Sequence, residues 1–455
     1  MRDLVLLFGF VAILAPVFRY PHIGALVWCW TALIVPNNFV YGYMSNIPFN
    51  KITAVLTLLV WVLSREPKKL PRSLSLVLIA AFGVLGTISE FTGIADGPVG
   101  ITEWEKFIKI LVFTMVIAGL ITTKERIDAL LYAIFLSLGF HGILEGAKFI
   151  ASGGQHHVWG PSGSILGDNN HFALGMVALL PIILYLYKQS SSRWLRLIFI
   201  GSSLLVMASI MGTLSRGGFI GIAGVGIYAL FKSGKRVRYL LTIIPLLASA
   251  ALFAPDRWSN RMDTITTVNM DGSFMGRVIA WKQSTLIAMD HPIFGGGFHA
   301  VQNFEVWTHY ARSFDKLSVI PTPVPDPYGP HAAHSIYFQV LGDLGFVGLM
   351  LFLGIVASSW RNASIVIRQT RERPQWRWAC DLATSLQYSL IAYIVSGAGL
   401  SMAYFDYMYM IFALLAVMRH MVSKLETSHV VASNARSPYP RSIPQPCVTM
   451  ESRAL

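Results

Sequence analysis

The chain has 455 residues, 54% of them hydrophobic and only 13% charged, against about 25% charged in soluble domains. That composition excludes an ordinary soluble enzyme and predicts an all-α, polytopic transmembrane helical bundle. The net charge of +13 is read as the cytoplasmic Lys and Arg excess of a membrane protein rather than as a nucleic-acid footprint. Cys29, Cys380 and Cys447 are too few and too scattered for a disulfide framework or a zinc site.

In chain order, the apolar runs at 4–17 and 23–35 are short for a full crossing and are separated by Arg19-Tyr-Pro-His22. They read either as two tilted spans or as one broken crossing. No A-x-A cleavage signal follows the first run, so it is not read as a removable signal peptide. Further spans are expected near 48–63, 74–91, 105–121, 127–149, 170–187, 197–213, 217–231, 239–254, 334–360, 381–400 and 403–420. The total is about 12, with 13 if the first pair counts twice.

Basic clusters fall in every second connection: Arg65 to Arg72, Lys124 with Arg126, Lys188 to Arg196, Lys232 to Arg238, and Arg361 to Arg377. By the positive-inside rule that face is cytoplasmic. The opposite, periplasmic face then holds 92–104, 150–169, the turn at 213–216 and a long loop, 254–333. Residues 1–422 are thus expected to form the bundle, with 423–455 as a Ser-, Pro- and Arg-rich cytoplasmic tail, disordered by composition. The 254–333 loop is too long to be a mere connection. Its tryptophans, tyrosines and apolar patches predict an ordered roof over an active site.

Arg216 is the sharpest single signal. It is the only charged residue between Arg196 and Lys232, and it lies on the face opposite the basic clusters. In T-L-S-R-G-G it opens a helix, with Ser215 as its N-cap. Helix N–H groups, the positive helix end and a guanidinium would meet there, which suits an anion. The plainer alternative is an arginine reaching for lipid headgroups, but a charge within a membrane segment is costly and marks a candidate site. Arg277 stands in the first turn of an amphipathic helix over 276–289, expected to lie on the membrane surface. Its residues support a headgroup contact equally well. Lys282, Arg257 and Arg261 read as solvated loop charges.

His331 and His334, spaced i, i+3 at a helix start, are compatible with metal ligation, with a general base, or with ordinary helix-start residues. An imidazole acting as a base needs no further ligand. G-D-N-N-H supplies Asp168, Asn169, Asn170 and His171 at the head of the 170–187 span, offering cap residues and sugar-binding amides. Glu145 with Lys148 reads as a structural i, i+3 pair, and Glu103, Glu105, Lys106 and Lys109 mark a wet helix entry.

Two arginines and a histidine at an outer membrane face fit transfer from a lipid diphosphate. The planar guanidinium fork matches diphosphate oxygens and stays charged. An imidazole activates the incoming hydroxyl, and the cations hold the charge developing on the leaving group.

Four motifs, in order, carry a resemblance: L-G-D-N-N-H-F-A-L, T-L-S-R-G-G, G-R-x-x-x-W with H-P-I-F-G-G-G, and A-H-S-I-Y-F-Q-V-L-G-D-L-G-F-V-G. Over about 166–355 the chain resembles the bacterial O-antigen ligase family, and its N-terminal half looks like the O-glycosylation ligase branch. The resemblance implies a GT-C-like membrane glycosyltransferase of the inner membrane, active at the periplasmic side. The implied reaction is a metal-independent, inverting transfer of a glycan from undecaprenyl diphosphate to a lipid A–core sugar, with no cofactor. It implies Arg216 and Arg277 at the diphosphate and His334 as base. His331, Ser215, Asp168, Asn170, His171 and the Ile336-Tyr337 pair are accessory candidates. O-antigen polymerases and protein O-oligosaccharyltransferases share this donor chemistry and differ in acceptor. A transporter of lipid-linked glycans is the alternative from another class, and it would require charges deep in several spans.

Overall fold

The computed structural model describes residues 1–232, 272–317, 322–325 and 329–435. The expected span at 239–254, Arg257 and Arg261, and the part of the tail beyond Ala435 lie outside them. Among the described residues the fold is all-helical. Helices α1 (Arg2–Leu14) and α2 (Pro21–Ile34) precede α3 (Phe49–Leu63), α4 (Leu74–Thr92), α5 (Pro98–Leu120), α6 (Lys124–Ala151), α7 (Asn169–Gln189), α8 (Arg193–Gly212) and α9 (Arg216–Lys232). Helices α10 (Gly272–Asp290), α11 (Phe304–Ala311), α12 (Ile336–Thr370), α13 (Arg377–Gly397) and α14 (Asp406–Ala435) follow.

Five of these, α4, α6, α7, α8 and α12, are long and apolar enough to cross a membrane. At 1.5 Å per residue the 20 residues of α8 reach the roughly 30 Å of a bilayer's hydrocarbon core. The surface of α8 shows why the segment belongs in lipid: Leu197, Ile198 and Leu204 are exposed, while Phe199 and Val206 are buried. Helix α7 is its counterpart at the centre, walled in by α8, α9 and α13 with Phe172, Met176, Leu179 and Ile183 fully covered. Helix α14 continues to Ala435, beyond Ser423, where the tail was expected to begin.

The connections sort to two ends. At one end Arg126 pairs with Glu66 at 2.7 Å, and Lys124 lies over the Trp378 ring. Three of the basic connections therefore meet there. At the other end the 38 and 162 turns, the 158 and 212 segments, and the 94–96 and 296–303 segments are joined by hydrogen bonds.

The region between α9 and α12 corrects one expectation. Helix α10 does not lie half-exposed on a surface. It packs against α12 and α11, and its Ile279, Leu286 and Ile287 form a separate core with Val301, Trp307, Tyr310 and Phe314. Lys282, expected in solvent, is only 5% exposed. Its ammonium sits 4.0 Å from the centre of the Phe314 ring, a cation–π contact that substitutes for water.

The glycine motifs make one joint. Helix α12 breaks at Gly345, with φ 68 and ψ −169, so Phe346 N–H turns to donate to the Pro292 carbonyl at 2.9 Å. Gly296 and Gly297 N–H groups donate to the Gly342 and Asp343 carbonyls. Gly295 has φ +68, and any Cβ there would strike the backbone of Gly345 and Asp343. H-P-I-F-G-G-G and G-D-L-G are thus two halves of one backbone lock, and glycine is required because backbone meets backbone.

Candidate functional site

Helix α7 starts where Asp168 caps it: Oδ1 accepts from the N–H groups of Asn170 at 2.8 Å and His171 at 3.3 Å. The amide of Asn169, read from sequence as a cap or sugar-binding amide, instead donates to the Thr213 carbonyl at 2.8 Å. That bond ties the G-D-N-N-H motif to T-L-S-R-G-G. Asn170 itself only reaches back to Asn169. Leu214 turns through φ 52, and Ser215 Oγ then accepts from Gly218 N–H at 3.2 Å, which caps α9 and sets Arg216 in its first turn. Gly218 rests on Ala173 and Gly221 on Ser396, so α9 enters close against α7 and α13.

The third motif brings Arg277 and Trp281 to one face of α10, one turn apart. Trp281 Nε1 donates to the Ala333 carbonyl at 2.6 Å, and its ring stacks on Phe338 with centres 5.1 Å apart. The backbone at His334 is thereby clamped from one side. From the other side Ser401 Oγ accepts the His334 N–H at 2.8 Å. His334 adopts φ +43, a left-handed conformation costing about 1–2 kcal/mol for a residue with a Cβ, and these two contacts hold it there. The two histidines are not on one helical face, because α12 begins only at Ile336. His331 is exposed, beside Gly276 and edge-on to Trp307.

One short turn, 396–401, borders the Arg277 side chain, the start of the Arg216 helix and the backbone of His334. Ser401 holds the His334 backbone. Gly399 lies against the Arg277 guanidinium, whose Nη1 is 3.7 Å from where a Cβ would stand. The start of α9 at Gly217 borders Ser396 and Leu400. The turn is itself fixed by Tyr393, whose hydroxyl donates to the carbonyls of Met402 and Ala403, and by Gln339, which accepts from Ala403 N–H. Nothing in S-G-A-G-L-S identifies it from sequence.

His334 lines a cavity of about 300 Å³ with His171, His299, Gln339, Ser401 and Tyr404. Burial, and then the Arg277 guanidinium nearby, lowers its pKa below the ordinary histidine value. The ring is therefore neutral at pH 7 and able to accept a proton. His171 Nδ1 lies 2.9 Å from the Ile165 carbonyl. A carbonyl only accepts, so Nδ1 carries the proton, leaving Nε2 as the acceptor. Tyr404 donates to Asp343 at 3.1 Å. Tyr337 points elsewhere, donating to the Ile394 carbonyl at 3.0 Å, so this accessory candidate braces α12 against α13. Among the described residues no three His, Cys, Asp or Glu side chains gather as a metal site.

Residues 1–191 match a family of unknown function (DUF5935), and residues 201–353 match the O-antigen ligase family. No curated protein matches the chain. The second match spans Arg216, Arg277, Trp281, the glycine lock and His334, whereas His171 lies in the first and Ser401 beyond both. The chain is a helical membrane protein whose residues 201–353 are similar to the O-antigen ligase family.

Proposed function

We propose that this protein is an O-antigen ligase in the strict sense: a glycosyltransferase moving a polysaccharide from undecaprenyl diphosphate onto a lipid A–core sugar hydroxyl. The observation that carries this reading is the 396–401 turn, which abuts Arg277, the start of the Arg216 helix, and His334. In the reaction neutral His334 takes the proton of the acceptor hydroxyl. The oxygen attacks the anomeric carbon, the bond from that carbon to the diphosphate oxygen breaks, and configuration inverts. Arg216 and Arg277 hold the charge that collects on the departing diphosphate, a role cationic forks fill without a metal. The imidazolium then releases its proton to water. His171, Asp168 and Ser215 support the geometry rather than the chemistry.

The bundle crosses the bacterial inner membrane about 12 times in a GT-C-like arrangement, with the site on the periplasmic face and the described residues 272–317 of the expected 254–333 loop as its roof. The basic connections gathered at the opposite end support that orientation. The test is transfer by purified protein from an undecaprenyl diphosphate-linked glycan, with lipid A–core, a pilin-type protein or the glycan itself as acceptor, in the presence of a chelator. Product on lipid A–core is expected, undiminished by chelation. Product only on protein or on glycan assigns the sister activities, and strict dependence on a divalent ion overturns the metal-independent mechanism.

A further inference from the structure

Behind the small cavity at His334 lies a larger one of about 970 Å³. The two share Glu103, His171, Gln339, Ser401 and Tyr404 in their walls, so they are adjoining compartments. Neither arginine lines either compartment. His334 accordingly stands between the guanidinium side of the site and this two-part space.

The walls of the larger compartment come mostly from the N-terminal region, which matches a family of unknown function. They include Asn46, Asn50 and Lys51 at the head of α3, Lys106 and Lys109 on α5, and the loop leading to Asp168. The walls are shaped in advance. Asn37 donates to two carbonyls across its hairpin, of Ser45 at 2.6 Å and Ile47 at 2.9 Å. Asn38 donates to the Ser162 carbonyl at 2.9 Å, joining that hairpin to the 163–168 wall.

The chemistry of this wall selects its occupant. Three lysines (51, 106 and 109) face three carboxylates (Glu103, Asp168 and Asp406), so the lining carries no excess charge to draw a diphosphate. A polyprenyl tail would strand its amides and charges without partners. Amides and carboxylates interleaved with Trp28, Tyr404 and Phe405 suit a saccharide, which offers hydroxyls to the polar groups and C–H faces to the rings. The volume lies at the upper end of the roughly 300–1,000 Å³ of ligand pockets, enough for an oligosaccharide segment.

We infer that this compartment is the acceptor subsite, binding the saccharide whose terminal hydroxyl reaches His334, and that the N-terminal region thereby supplies acceptor recognition. The inference rests on the transferase reading for the identity of the reaction, but not for binding. Its test uses the full chain in detergent and the deacylated core oligosaccharide of lipopolysaccharide as probe. Lys51→Trp and Asn50→Trp narrow the compartment and should raise the acceptor KM at least tenfold while the donor KM stays within about twofold. Asn50→Ala leaves the space open and should raise it about threefold, which controls for misfolding of the bulky variants. An equal rise in donor KM, or no change in either constant, overturns the subsite. Calorimetric titration of the probe separates the two readings. Wild-type binding that weakens tenfold in Lys51→Trp, without turnover on any acceptor, retires the transfer reading and keeps the subsite. Absence of binding to the wild type overturns the subsite.

Discussion

At the scale of single residues, the site combines two costly features. His334 sits in a left-handed backbone conformation, and its ring is half-buried beside a guanidinium. Both favour a neutral base aimed into a cavity. The sign of the pH dependence follows: a lowered histidine pKa means that the ring loses its proton below pH 6.5 as pH rises. Transfer should therefore climb through a midpoint below 6.5 and stay flat through neutrality. A rising limb centred above pH 7 would show that another group is the base. Arg216→Lys keeps the charge and loses the planar fork, so transfer should fall about 10–100-fold if each lost charge-assisted hydrogen bond is worth roughly 1.5–3 kcal/mol. Activity within threefold of wild type would mean that Arg216 only meets the lipid headgroups. Arg216 and His334 stand out in the sequence because Arg216 is the only charged residue between Arg196 and Lys232 and His334 heads an apolar run. Asn169 was legible as a polar candidate but not as a tie to Thr213, and Ser401 was not legible at all, since these bonds join partners 44 and 67 residues apart.

At the scale of elements, the chain uses short backbone contacts to join distant motifs. The clearest is the lock between the 291–297 turn and the break in α12 at Gly345. Gly295→Ala adds a Cβ at φ +68 against the backbone of Gly345 and Asp343. The left-handed conformation alone costs about 1–2 kcal/mol, and the clash adds to it. The thermal midpoint of the detergent-solubilised protein should drop by several degrees, with transfer falling as the 333–343 segment loosens. An unchanged midpoint would show that the lock contributes nothing to stability. The individual helices were largely readable from hydropathy, but the setting of α10 was not. Lys282 reads as solvated, whereas it is buried because Phe314 of the 304–317 segment lies against its ammonium. Pattern reports polarity, and only the neighbouring segment decides whether a polar residue meets water or an aromatic ring.

At the scale of the whole molecule, the bundle divides its described connections between two ends. The start of α9, the Arg277 side chain and the His334 backbone converge on the 396–401 turn. The alternation of basic connections made that division readable from sequence. The convergence was not, because it depends on how α13 seats between α7, α9 and α12. The central claim is that His334 is the proton acceptor of a glycan transfer held together by this turn. It is tested most directly by measuring transfer and donor binding side by side in wild type and His334→Ala. Loss of a general base typically costs about 10²–10⁴ in rate, so transfer should fall by that factor while donor Kd stays within about threefold. Transfer by His334→Ala within tenfold of wild type would contradict the account.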